Sequence, residues 1–366
     1  MDTRMSESAK PYFAMACLQF GYAGMNLITK AVLDRGMSHY VLVVYRQAFA
    51  TAVLAPFALL SERKVRPKMT FPVFIQIFVL SLLGPVIDQN LYYAGLKLTS
   101  PTFSCAVTSI VPVVTFILAI LCRMEKVEMK KVRCQAKVVG TVVTVVGAMM
   151  TVLYKGPFIN FLHTHPPLTA IVFLLISSLS FSSFFILQAA TLKRYSAHMS
   201  LSAMVCFLGT LNSAAVTFVM ERDQSAWNIG FDMKFLASAY AGVISSSIAY
   251  YVQGLMTKQK GPAFVASFNP LVVIIVSVMG IFIFGERIYL LGVLGMVLLM
   301  VGLCTSLWGK HREFEQEILE TVKCCSSDIQ SAHLSVKPGI GQGDEDDVER
   351  QSTAAKLQSP VVVFLQ

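Results

Sequence analysis

Charge is scarce in this chain. Only 14% of its 366 residues are Asp, Glu, Lys or Arg, against roughly 25% in a soluble domain. That deficit excludes an ordinary water-soluble globule. Histidine is sparse too: His39, His163, His165, His198, His311 and His333 are the six, and none lies deep in an apolar run. Gly-x-Ser-x-Gly, His-Glu-x-x-His and P-loop sequences are all missing, so a hydrolase, a zinc enzyme or an ATP-driven pump lacks its parts. No catalytic residue, metal site or cofactor is expected; His163-x-His165 is a lone pair in a loop. There is no Asn-x-Ser/Thr sequon. The eight cysteines (Cys17, Cys105, Cys122, Cys134, Cys206, Cys304, Cys324 and Cys325) fall in apolar runs or on one side of them, which argues against a disulfide framework. The first apolar run is long enough to span and has no cleavage-site pattern, so a cleavable leader is not expected.

What the chain has is hydrophobicity, at 55% of residues. Ten apolar runs stand near 11–32, 39–60, 71–94, 102–121, 136–154, 168–190, 200–219, 235–256, 262–284 and 289–308. Each approaches the roughly 20 residues that cross a bilayer core. An open sheet cannot satisfy its backbone in lipid, so all ten read as helices. The net charge of +9 is not a nucleic-acid signal, because the cations sit in alternating loops. With the N-terminus inside, the inner loops and ends hold 18 Lys and Arg and the outer loops 7. That bias predicts ten spans with both termini cytoplasmic.

A stretch of the first half recurs 158 positions later. Gly84, Tyr92, Tyr93, Thr99, Ser109 and Pro112 return as Gly242, Tyr250, Tyr251, Thr257, Ser267 and Pro270. The fifth run of each half carries Gly-x6-Gly, at Gly140 and Gly147 and at Gly295 and Gly302, after a turn holding Glu125 or Glu286. Five spans per half is odd, so the second copy enters from the opposite side. The expected fold is therefore an all-α integral membrane protein of ten helices in two inverted five-helix repeats, an architecture suited to alternating access. The expected parts are a cytoplasmic N-terminus at 1–10, a first repeat at 11–155, an extracytoplasmic connector at 156–167, a second repeat at 168–310 and a disordered cytoplasmic tail at 311–366. The acidic, small-residue-rich GQGDEDDVERQST within the last part supports that reading of the tail.

Two charged side chains lie well inside spans, Arg46 on the second and Asp88 on the third. Such residues cost roughly 2.5–3.5 kcal/mol on insertion scales and face a cavity or a partner. At 1.5 Å per residue both stand about 10 Å from the outer face, so a pair between them is expected. Arg46 is a candidate for a substrate carboxylate, Asp88 for a coupling proton. The uncharged candidates for substrate binding are Gln19 and Asn26 on the first span, Gln89 and Asn90 beside Asp88, Asn212, Gln253 and Asn269. Each can also be an ordinary interhelical bond. Pro112 and Pro270 predict matched helix breaks, which point to a central site. Tyr92, Tyr93, Tyr250 and Tyr251 read as interface anchors.

The stretches LQFGYAGMNLITKAVLDRGMSHYVLVVYRQAFATAVLAPFALLSERK, GPVIDQNLYYAGLKLTSPTF, QAKVVGTVVTVVGAMMTVLYKG, ERDQSAWNIG and GERIYLLGVLGMVLLMVGLCTSLWGK resemble the plant walls-are-thin-related, nodulin-21-like transporters. These have two EamA-type repeats and belong to the drug/metabolite transporter superfamily. The resemblance covers about 11–310. It implies a carrier or facilitator for amino acids or related metabolites, at the plasma membrane first and the vacuolar membrane second. Tyr45-Arg46-Gln47 stands where many members read Tyr-Arg-His, so the pocket wall differs here. The alternatives are an auxin or organic-acid carrier and a non-transporting receptor or scaffold. The expected partners are a small-molecule substrate and the lipid bilayer, with no nucleic acid and with a homo-oligomer left open.

Overall fold

The computed structural model describes residues 2–62, 67–124, 132–153, 167–228, 232–284 and 291–310, with single positions at 312 and 316. The chain divides into two units, Met1–Phe314 and Glu315–Gln366; the second is described only at position 316. Glu125, Glu286, nearly all of the 156–167 connector and the tail beyond 316 lie outside the described residues.

Among the described residues the first unit holds ten long helices. They are α1 (Asp2–Asp34), α2 (His39–Ser61), α3 (Phe71–Leu98), α4 (Pro101–Leu121), α5 (Val132–Leu153), α6 (Leu168–Arg194), α7 (His198–Met220), α8 (Met233–Lys260), α9 (Pro262–Ser267 and Leu271–Phe284) and α10 (Leu291–Lys310). Among the described residues nine of them, all but α1, are long and apolar enough to cross a membrane. At 33 residues α1 has the length, but Gln19 and Asn26 on its buried side lower its hydropathy. Phe57, Leu60, Phe78, Leu121, Val142, Phe207, Phe218 and Phe282 stand exposed on the outside. In water such a surface would aggregate; in lipid it is the matched surface, and the protein is a multi-pass membrane protein.

Local chemistry sets the ends. Gly36, with φ +86°, ends α1 in a Schellman motif, with Met37 N–H on the Val32 carbonyl at 3.3 Å and Gly36 N–H on Leu33 at 3.0 Å. Ser100 accepts from Phe103 N–H and Pro101 opens the first turn of α4.

The two halves repeat their irregularities. In α3 the turns widen to i→i+5 spacing over Leu82–Asp88, and in α8 over Val243–Ile248. Pro85 supplies the cause in α3, since it offers no N–H. In α8 no proline is present; the Ser247 hydroxyl satisfies the Gly242 carbonyl at 3.0 Å instead. Helix α4 breaks at Ser109–Ile110, three residues before Pro112, and α9 breaks across Phe268–Pro270. Ser109 and Ser267 each bond the carbonyl four residues back, at 3.1 Å to Cys105 and 2.7 Å to Ala263.

Glycines set the closest approaches. A Cβ on Gly140 would sit 2.5 Å from Ser306 N, and one on Gly147 2.5 Å from Leu299 N. The glycine face of α5 thus packs directly on that of α10. Gly242 brings α8 against the α2 backbone, where an added Cβ would lie 2.6 Å from the Arg46 carbonyl oxygen. Helices α2 and α7 run antiparallel: Glu62 meets Met199 at one end and Thr217 meets the Tyr40 carbonyl at the other.

Candidate functional site

A cavity of about 110 Å³ opens between the two halves. From the first half it is lined by Gln19, Tyr22, Met25 and Asn26 of α1, Arg46 of α2, Asp88, Gln89 and Tyr92 of α3, and Cys105, Thr108 and Val111 of α4. From the second half come Ser177, Ser178 and Phe181 of α6, Tyr250 of α8, and Asn269 and Val272 of α9. One structural irregularity of each half reaches it. The widened turn of α3 ends at Asp88, and Asn269 sits in the α9 break.

Arg46 is buried, and α8 holds its guanidinium. Nε donates to Ser246 Oγ at 2.7 Å, Nη2 to the Ser245 carbonyl at 3.0 Å, and Nη1 to the Tyr93 hydroxyl. The widened turn explains why that carbonyl is available. The Ala249 N–H reaches back to Ile244 instead of Ser245, and the Ser245 oxygen is left for the guanidinium. All three partners are neutral. Two of the five guanidinium N–H groups remain.

Asp88 is half-buried, and its Oδ1 accepts from Ser177 Oγ of α6 at 2.6 Å. The expected Arg46–Asp88 ion pair is not formed: no nitrogen of Arg46 comes within 4.0 Å of a carboxylate among the described residues. Depth along two helices does not fix their rotation, and the wide turns of α3 and α8 alter it. Arg46 meets Ser246, the residue that the 158-residue offset makes the mate of Asp88. The two opposite charges share one cavity, each on separate neutral partners.

The other polar candidates divide. Gln89 takes Gln47 Nε2 on its oxygen at 2.8 Å and donates to the Tyr250 hydroxyl at 2.9 Å. Asn26 accepts from the Tyr92 hydroxyl at 2.9 Å and donates to Cys105 Sγ at 3.3 Å. Gln19 is buried with neither amide atom bonded, and it faces the cavity. Asn90, Asn212 and Gln253 do not line it. Asn90 bonds the Val86 carbonyl of its own helix at 2.7 Å, Asn212 the Ser81 hydroxyl at 2.8 Å, and Gln253 the Tyr22 hydroxyl at 3.0 Å. Pro112 stands just beyond the α4 break and Pro270 closes the α9 break, both outside the lining.

The tyrosines correct a sequence expectation. Tyr93 and Tyr250 are buried and bonded to Arg46 and Gln89, and Tyr92 is bonded to Asn26. These three are parts of the polar network rather than interface anchors. The Tyr251 ring instead lies 5.2 Å from that of His198, the first residue of α7. Sequence reasoning also missed Ser177, Ser245 and Ser246. For Ser246 the signal existed, because the offset pairs it with the one acid inside a span.

Comparison with known proteins agrees with this architecture. Residues 9–153 and 168–308 match the EamA-like transporter family, one match for each half. Two WAT1-related proteins of Arabidopsis thaliana are 64% and 67% identical, covering 99% and 96% of this chain and 95% and 97% of their own lengths. A third is 51% identical over 92% of this chain and 90% of its own. A solved crystal structure superposes with a TM-score of 0.63 over 84% of this chain and 98% of its own at 15% identity, a likeness of fold alone. This chain belongs to the EamA-like transporter family, among its WAT1-related members, and is a membrane transporter rather than an enzyme.

Proposed function

We propose that the chain is a secondary carrier for amino acids or closely related small zwitterions, working by alternating access with the 11–155 and 168–310 halves as the moving parts. One observation carries this reading: Arg46 and Asp88 line the same cavity and are not paired with each other. An isolated charge in a membrane protein is costly and persists where it has work to do. A guanidinium with two N–H groups to spare accepts a carboxylate. Asp88 offers a second carboxylate oxygen, bonded to no described residue, to an ammonium group. A zwitterion supplies both complements and joins two charges that the fold keeps apart. The bias of 18 cations against 7 supports cytoplasmic termini, and the family resemblance supports the plasma membrane.

A second reading is an aromatic organic acid such as auxin. The Tyr22, Tyr92, Phe181 and Tyr250 wall favours it, because a ring can lie on that wall while Arg46 holds the carboxylate alone. Flux of labelled amino acids and of labelled indole-3-acetic acid, in oocytes at two external pH values, separates the two. Saturable amino-acid flux supports the zwitterion reading. Auxin flux alone reverses the ranking, and no flux of either from surface-expressed protein removes both.

A further inference from the structure

Helices α2 and α7 are related by an offset of 159, and their ends correspond. Each begins with a histidine, His39 or His198, and each is followed directly by a glutamate, Glu62 or Glu221. Midway, Thr51 and Thr210, which the same offset relates, touch through their hydroxyl oxygens at 3.4 Å. Each threonine also bonds the carbonyl four residues back, Gln47 at 2.9 Å and Cys206 at 2.9 Å, again a matched pair. The pseudo-two-fold axis passes through this contact.

At one end the symmetry is occupied. Glu62 accepts from the Met199 N–H at 3.1 Å and from the Ser200 N–H at 2.7 Å, so α2 caps the first turn of α7. A carboxylate there also meets the positive end of the helix dipole. At the other end the same contact is not made. Its atoms would be the Glu221 carboxylate and the N–H groups of Tyr40 and Val41. Yet the Ser38 side chain does not cap α2, and among the described residues no side-chain oxygen accepts from the Tyr40 or Val41 N–H and the Glu221 carboxylate makes no hydrogen bond.

The two charges of the cavity lie toward the uncapped end. Arg46 is seven residues from His39 and fifteen from Ser61, about 10 Å against about 22 Å along the helix. Asp88 is ten residues from Leu98 and seventeen from Phe71, about 15 Å against about 26 Å. The end holding the Glu62 cap is the end away from both charges.

We infer that Glu62 and Glu221 are alternating latches of the transport cycle. Glu62 on α7 holds one face shut while the site faces the other. When the halves rock about Thr51 and Thr210, Glu62 leaves Met199 and Ser200, and Glu221 takes Tyr40 and Val41. The two caps exclude each other, and each turnover exchanges one for the other. The inference rests on membership of a transporter family, not on which solute is carried.

The test uses two cysteine pairs in the full-length protein in membranes, Glu62→Cys with Met199→Cys and Glu221→Cys with Tyr40→Cys, oxidised and read by mass spectrometry of the bridged peptides. The native thiols stay in place. The first pair is expected to bridge readily and to stop flux until reduced. The second pair is expected to bridge less. When the first latch is removed by Glu62→Ala, its yield is expected to rise about fivefold, the shift equivalent to losing one cap. Glu62→Gln, which keeps the shape and one acceptor oxygen, is expected to give a smaller rise and serves if the alanine variant fails to fold. Full flux with the first bridge closed overturns the inference, as does a second-pair yield indifferent to residue 62. Both bridges closed in one molecule carrying all four cysteines would do the same. The bridging yields need no solute, so they stand even if amino acids prove to be the wrong cargo.

Discussion

Replacing Gly147 by alanine tests the account of how the two halves are joined. The new Cβ would lie 2.5 Å from Leu299 N and 2.8 Å from the Gly295 carbonyl oxygen. Both are backbone atoms of α10, and no side chain can rotate away. The helices must part until the 2.5 Å approach reaches the 3.4 Å of ordinary contact. Overpacking of this kind costs about 1–3 kcal/mol. Alanine's better helix propensity returns about 0.8–1 kcal/mol, which leaves a net loss of about 1 kcal/mol. Gly292 on the same helix meets no described atom within 4 Å, so Gly292→Ala keeps the propensity gain without the clash. The two variants are therefore expected to differ by about 2 kcal/mol in opposite directions, seen as melting temperatures several degrees apart in detergent. Equal melting temperatures would refute the backbone-to-backbone contact of α5 and α10.

Three further outcomes follow from the site. Arg46→Lys keeps the charge but cannot reach Ser246, the Ser245 carbonyl and Tyr93 together, because an ammonium is a point donor; flux is expected to fall at least about tenfold, the worth of roughly one charged hydrogen bond, with surface expression retained. Asp88→Asn preserves shape and can still accept from Ser177 while losing the charge; the apparent KM for a zwitterion is expected to rise about tenfold, and a proton-coupled flux would also lose its pH dependence. Gln19→Leu removes a buried amide with no protein partner, so stability is expected to hold or rise by up to about 1 kcal/mol while flux falls; unchanged flux would take Gln19 out of the site.

The gross plan was legible because membrane physics writes it twice. Spans announce themselves by length, and the offset from Gly84–Pro112 to Gly242–Pro270 announces the repeat. Proline chemistry marked the breaks, which the structure places within three residues of Pro112 and at Pro270 itself. Gln19, Asn26, Arg46, Asp88, Gln89 and Asn269 could be singled out because a polar group inside a span needs a reason. Which of them meet depends on helix rotation, and rotation is what the widened turns of α3 and α8 change. Arg46 therefore turned to Ser245 and Ser246 rather than to Asp88. The buried tyrosines were misjudged because Tyr93 and Tyr250 lie where an anchor and a network residue look alike in sequence. Spacing alone cannot tell which face a phenol takes. The Gly-x6-Gly pairs were visible as repeats, but nothing in their spacing said that α5 and α10 would turn those faces on each other.

The most direct test of the zwitterion site is competition against flux of a labelled amino acid, by its analogue lacking the amino group and by its analogue lacking the carboxylate. The account predicts that the unlabelled amino acid competes and that each analogue competes at least about tenfold more weakly, since each leaves one of Asp88 and Arg46 unanswered. Equal competition by the acid without its amino group would contradict the account, leaving Arg46 as the sole recognition charge and Asp88 outside substrate binding.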